Sequence, residues 1–143
     1  MPLNMKVRDV LEFIFSAKYY YFGVLTSSVH MAWTKTVCGR LKSDYRYSAS
    51  IVYNNFIWCN PTLEQLKKII SAAQNILDVR KKYSDSTLAD LYDELTMPKD
   101  LRDAHKKNDK AVMAAYGFDD KMTESEIVAA MMNLYKNFLA KTN

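Results

Sequence analysis

Two threonines, each followed three residues later by Gln or Glu and then by an apolar run, do most to limit what this chain can become. Thr62 with Gln65 and Thr123 with Glu126 are capping boxes. In such a box the hydroxyl and the longer side chain satisfy N–H groups that a first helical turn leaves unpaired. Behind the first box, Leu63, Leu66, Ile70, Ala73 and Leu77 recur at helical spacing and predict an apolar face running to about Lys82. Behind the second, Ile127, Ala130, Met131, Leu134 and Phe138 do the same. Between them "YSDST" reads as a turn and residues 88–92 as one helical turn. Pro98 suits the first turn of a further helix, because its missing N–H would be unpaired there anyway. That helix carries Leu101, Ala104, His105, Val112 and Tyr116, and Gly117 stops it. Residues 59–143 therefore read as a compact antiparallel helical unit.

The first part has another character. Residues 7–15 ("VRDVLEFIF") and 18–25 ("KYYYFGVL") are rich in β-branched and aromatic side chains and read as strands, as do residues 50–58. Ser27 or Ser28 can cap a helix to about Val37, with Val29, Trp33 and Val37 as its buried stripe and Gly39 as its end. The expected fold class is α+β: a small mixed β/α portion over residues 1–58, then the helical unit over 59–143. Three glycines and three prolines are too few for an all-β chain of tight turns.

No catalytic set can be assembled from these residues. Three scattered glycines make no phosphate loop, and neither His30 nor His105 stands with a nucleophile and an orienting group. Both histidines read as hydrogen-bonded helix-face residues, and Met113, Met122, Met131 and Met132 as core fill. Cys38 and Cys59 form neither a metal spacing nor a C-x-x-C pair. No signal peptide opens the sequence and no run nears the roughly 18 apolar residues of a membrane span. A reduced, cytoplasmic setting without membrane attachment is the expectation, with no cofactor and no metal in this stretch.

The charge is unevenly placed. Residues 1–58 hold seven Lys or Arg against three acids, whereas residues 59–143 hold thirteen of each. The whole net charge of +4 thus lies in the first part, where a polyanion would dock. Within it stands "GRLKSDYRYS", residues 39–48. Lys42 and Asp44 are two apart, so in an extended loop they leave the same face about 7 Å from one another. A lysine donates to the major-groove acceptors of guanine, and a carboxylate accepts from the amino group of cytosine. One face could thereby address both halves of a G·C pair. Arg40 and Arg46 suit phosphates, and Tyr45 and Tyr47 fall on the opposite face, to pack inward or to bond phosphate. The ordinary alternative is a solvated loop with an Asp44–Lys42 or Asp44–Arg46 ion pair worth about 0–1 kcal/mol. Residue types alone leave both readings open.

Four longer stretches carry a resemblance: "F-G-x-L-T-S-S-x-H-x-A-W", "G-R-L-K-S-D-Y-R-Y-S", "I-V-Y-N-N-F" and "L-A-D-L-Y-D-x-L-T-M-P". In this order, over about residues 19–140, the chain resembles the end of the target-recognition domain and the C-terminal helical domain of MmeI-like enzymes. Those are single-chain restriction–modification proteins that methylate the exocyclic amine of adenine in DNA. The resemblance implies a C-terminal fragment of a larger protein. The methyltransferase core with its S-adenosylmethionine, and any nuclease, would lie in the rest of the parent chain. It also implies that Lys42 and Asp44 are the variable pair that reads the base pair beside the methylated adenine, a Lys-then-Asp pair going with G on the methylated strand. Duplex DNA is the implied partner, with Lys35, Arg40 and Arg46 on the backbone. Ile57 and Cys59 depart from the prolines common around the family's tryptophan, and residues 1–16 match least. Two rival readings are a nucleic-acid-binding module without base preference and a helical protein-interaction module with no DNA role.

Overall fold

A computed structural model of the chain describes residues 7–41 and 55–142. The first capping box forms as its sequence requires: Gln65 N–H donates to Thr62 Oγ1 at 3.2 Å, and Thr62 N–H donates to Gln65 Oε1 at 3.0 Å. It opens a helix over Leu63–Lys81, named α3 below, after α1 (Val7–Leu25) and α2 (Ser28–Leu41). A short α4 (Leu88–Leu91) follows, capped by Thr87. Then come α5 (Lys99–Tyr116) and α6 (Glu124–Thr142). Pro98 stands at the cap position of α5. Gly117 ends α5 at φ 76°, the left-handed conformation that a residue without Cβ takes at little cost. At α6, Glu126 N–H donates to Thr123 Oγ1 at 3.3 Å and the Glu126 carboxylate accepts from the same hydroxyl.

The expected α+β class is overturned. Among the described residues there is no strand, and the expected β/α first portion is helical over Val7–Leu25 and Ser28–Leu41. Residues 7–15 and 18–25 are not two strands but one continuous α1. Tertiary packing outweighs their β propensity. Tyr20, Gly23 and Val24 lie at helical spacing toward α3 and α5, while Ile14 and Tyr21 on other faces are about half exposed. Of the strand expected over residues 50–58, Asn55 is helical and residues 56–58 have no ladder partner among the described residues; residues 50–54 lie outside the described ones. Gly39 does not end α2, which continues through Leu41.

The most extensive packing joins α3 to α5, followed by α1 to α3 and α2 to α6. Gln65 Nε2 donates to the Ala114 carbonyl, and Tyr83 OH donates to Asp100 at the other end, so α3 and α5 run antiparallel. The apolar stripe of α3 is rotated from the one expected. Ile69, Ala72, Ala73, Ile76 and Val79 are buried, Leu66, Ile70 and Leu77 are half-buried, and Leu63 is exposed. Because α3 is covered by α1 on one side and α5 on another, its apolar arc is wider than one stripe. The larger core cluster collects Val24, Val29, Trp33, Val37, Phe56, Ile69, Val112, Ile127 and Met131; a smaller one holds Ile76, Val79, Leu91, Leu101 and Ala104. Met113 and Met131 are buried in the larger cluster, as core fill. Among the described residues no helix is long and apolar enough to cross a membrane.

Candidate nucleic-acid interface

The basic stretch begins in the last turn of α2 and the chain is described again from Asn55, and both flanking elements are held by side chains of α5 and α6 as well as of the first 60 residues. On α2, Val29, Trp33 and Val37 are buried at spacings of four, so one face of the helix is committed to the core. Trp33 packs near the ring of Tyr135 on α6, at 6.3 Å between centroids. The start of α2 is held from α5, where Asp109 Oδ1 accepts from Ser28 N–H at 2.8 Å. Burial pushes the Asp109 carboxyl above its ordinary pKa, and the bonds to Ser28 oppose that. Ser27 is fully buried, its hydroxyl donating to the Val24 carbonyl at 2.6 Å. The opposite face of α2 is open: Met31, Lys35 and Cys38 are exposed.

The return segment, residues 56–60, has no regular hydrogen-bond ladder, yet Phe56 and Cys59 are buried. Aromatic edges hold it in place. His30 meets Phe56 at 4.8 Å, Phe56 meets Trp58 at 5.4 Å, and Tyr21 meets Trp58 at 5.4 Å, all edge to face. Two tyrosine hydroxyls supply the donors that a sheet would have supplied. Tyr116 OH donates to the Ile57 carbonyl at 2.6 Å, and Tyr20 OH to the Cys59 carbonyl at 3.3 Å. Burial pushes both phenols far above their ordinary pKa, so they stay neutral donors. Burial also lowers the His30 pKa, which keeps its ring neutral against Phe56. The arrangement can therefore present whatever lies between α2 and Asn55 from two fixed ends.

Of the expected site residues, Lys42, Asp44, Tyr45, Arg46 and Tyr47 lie outside the described residues. Arg40 stands in the last turn of α2 rather than in a loop. Lys35 is on the exposed face of α2, where its Nζ lies 3.4 Å from Glu124 Oε1. An exposed pair of that kind is worth about 0–1 kcal/mol and leaves the ammonium available to a phosphate. The clamp residues Tyr20 and Tyr116 were not anticipated. Tyr116 had been assigned only to an apolar helix face, and its hydroxyl, which needs a partner once buried, was the available signal.

No cofactor cradle is formed by the described glycines. A Cβ on Gly23 would collide with buried Asn108 and Ile69, and Gly117 is a helix stop with nothing within 4 Å. Among the described residues no three His, Cys, Asp or Glu gather as for a metal ion. Neither cysteine is in a disulfide.

Comparison with known proteins bears on both parts. The chain is 38% identical over 128 residues to "DNA methyltransferase A" of Bacillus subtilis (strain 168), covering 90% of this chain and 14% of that protein. It superposes with a TM-score of 0.77 and 45% identity on a solved structure of the type IIL restriction–modification enzyme MmeI in complex with DNA, covering 85% of this chain and 16% of that one. The chain thus spans about a sixth or less of the length of these relatives. Residues 62–142 match the family described as MmeI, C-terminal domain, and residues 1–60 match that described as MmeI, target recognition domain. With both matches falling in sequence on a chain whose helices share one core, the chain belongs to the MmeI family.

Proposed function

We propose that this chain is the DNA-reading and C-terminal helical end of a site-specific adenine DNA methyltransferase of the restriction–modification type. Residues 1–58 would supply the end of the recognition surface and residues 59–143 the helical brace. Lys42 and Asp44 read one G·C pair, the ammonium donating to guanine and the carboxylate accepting from cytosine. Arg40, Arg46 and Lys35, with the hydroxyls of Tyr45 and Tyr47, hold phosphates and fix the register without reading sequence. Methyl transfer from S-adenosylmethionine belongs to other parts of the parent protein, and no step of it is assigned to residues here.

The observation that carries this reading is the match of residues 1–60 to a target recognition domain, with the Lys42–Asp44 pair inside it. The DNA in the MmeI complex and the name of the Bacillus relative support duplex DNA as the substrate class. Rigid ends for the 42–54 segment support it too, because a base reader must be held in register. The test is the double exchange Lys42→Glu with Asp44→Arg in the full-length protein that carries this chain. Methylation sites mapped by sequencing should then change at one position, from G to C on the methylated strand. Unchanged sites in a folded, active variant would remove the assignment.

A further inference from the structure

The antiparallel pair α3–α5 buries its inner faces but is not sealed on its outer side. Along it runs a groove of about 580 Å³ with a floor of small side chains, Ser71 and Ala111 among them. Its walls carry Lys68 and Asn75 from α3 and Lys107 and Lys110 from α5, and no acid lines it. Among the described residues Lys68 and Lys107 have no ionic partner, and Lys110 reaches Asp120 only at 3.9 Å across exposed ends. Composition does not explain this, since residues 59–143 are charge-neutral as a whole. Placement does. Lys107 and Lys110 are three apart and share a helix face, and the antiparallel pairing brings Lys68 across beside Ala111.

A larger groove of about 710 Å³ on the far side of α5 shows the contrast. It too is lined by Lys35, Lys106 and Lys110, but Asp109, Asp120 and Glu124 line it as well, so its charge cancels. In the α3–α5 groove no lining acid stands against Lys68 and Lys107, and Lys110 is shared with Asp120 at its edge. These are point charges on flexible stems, suited to phosphate oxygens whose positions vary. The Ser71 hydroxyl and Asn75 amide add neutral donors of the kind that contact a nucleic-acid backbone. No aromatic side chain lines the groove to stack a base, and no deep apolar pocket would anchor a protein partner. Lys68 to Asn75 spans about 10 Å along α3, the rise of roughly three nucleotides of one strand.

We propose that the α3–α5 groove is a second, sequence-blind DNA contact, in which Lys68, Lys107 and Lys110 hold successive phosphates of one strand of the duplex. The proposal rests on the reading of the chain as part of a DNA-acting protein, and adds to it a surface outside the base-reading segment. The test uses the full-length protein that carries this chain. Lys68, Lys107 and Lys110 are changed together to Gln, and Lys121, Lys136 and Lys141 are changed to Gln as a control with the same loss of charge. Affinity for duplexes with and without the methylation site is measured from about 50 to 200 mM salt. The groove variant should lose about 2 to 3 from the slope of log affinity against log salt, at about 0.9 per phosphate contact, on both duplexes alike. Its site preference should be intact and the control slope unchanged. An unchanged slope in the groove variant overturns the proposal, as does an equal loss in the control. Loss confined to single-stranded RNA or an acidic peptide, with the DNA slope intact, overturns it as well. The base-reading exchange alters preference and conserves charge, so failure of that reading shows in the site map and failure of the groove shows in the slope.

Discussion

Replacing Gly23 by Ala sets two effects against each other, and the structure decides the sign. In an open helix interior the change would stabilise by about 0.5–1 kcal/mol. At Gly23 in α1, the new Cβ would stand 2.9 Å from Asn108 Oδ1, 2.9 Å from Ile69 Cγ2 and 3.4 Å from Ala73 Cβ. All three neighbours are fully buried, so none can swing into solvent. Carbon atoms pack best near 3.5–4.0 Å, so α1 must move off α3 by about half an ångström or more. Overpacking of this kind costs about 1–3 kcal/mol. The same movement stretches the 2.7 Å bond from Asn108 Nδ2 to the Gly23 carbonyl. The other amide atom, Asn108 Oδ1, has no hydrogen-bond partner among the described residues, so among them the side chain has no second anchor. Loss of that bond in a buried site adds about 1–3 kcal/mol. The net expectation is a destabilisation of about 3 kcal/mol, or a fall in Tm of roughly 6–12 °C for a chain of this size. Urea denaturation followed by far-ultraviolet circular dichroism measures it. In an Asn108→Ala background the penalty should shrink, because the bond and one of the two close contacts are already gone. A Gly23→Ala chain as stable as the parent would refute the account of how α1 meets α3 and α5.

Two further outcomes follow from the supports of the recognition segment and of α4. Tyr116→Phe keeps the ring stacked on Phe118 but removes the donor to the Ile57 carbonyl, so it should cost about 1–2 kcal/mol and speed amide exchange at residues 56–60; unaltered exchange there would dismiss the clamp. His105 pairs with Tyr92 OH at 2.8 Å, and burial, with the Arg80 charge second, lowers its pKa below the ordinary 6.5. The unfolded chain therefore takes up a proton first as pH falls. Stability from the neutral ring is full above about pH 6.5 and is lost as pH drops through the folded value, and His30, also lowered by burial, acts in the same sense. Stability at pH 5.5 should be below that at pH 7.5, with a smaller difference in His105→Asn; an undiminished difference in the His105→Asn, His30→Asn double variant contradicts this.

The helical unit was legible because its signals are local. Thr62, Gln65, Thr87, Pro98 and Gly117 act within a few residues of themselves, and each stands at a helix end. The apolar face of α3 was less legible, because a helix covered on two sides has no single stripe, and Leu63 and Ile69 look alike in sequence. The error in the first part has an identifiable cause. Two strands over residues 7–25 need a turn between them, and Ser16-Ala17 supplies no Gly, Asn, Asp or Pro for one. The α1 segment of 19 residues, free of Gly and Pro until Gly23, is helical in length, and length outranks a local excess of Tyr and Phe. Gly23 itself reads as a breaker, but its role is close approach to Asn108 and Ile69, 46 or more residues away, which no local pattern records. The α3–α5 groove was hidden for a related reason. Lys68 and Lys107 were counted into a net charge of zero, and only the antiparallel pairing separates them from the acids.

The elements on either side of the proposed base readers, α2 and residues 56–60, are both packed into the core. Among the described residues, the larger core cluster takes Val29, Trp33 and Val37 from α2 and Phe56 and Cys59 from the return segment. The core closes through the aliphatic and aromatic stripe of α2 on one side, and through Phe56, Cys59 and the tyrosine hydroxyls on the other. The double exchange conserves charge, so long-range steering of DNA is unchanged. In a folded, active variant, a shift in the methylated sequence would then be a change in what two side chains recognise. A protein that fixes both ends of a reading segment in this way separates the residues that specify from those that hold, so specificity can vary while the scaffold stays the same.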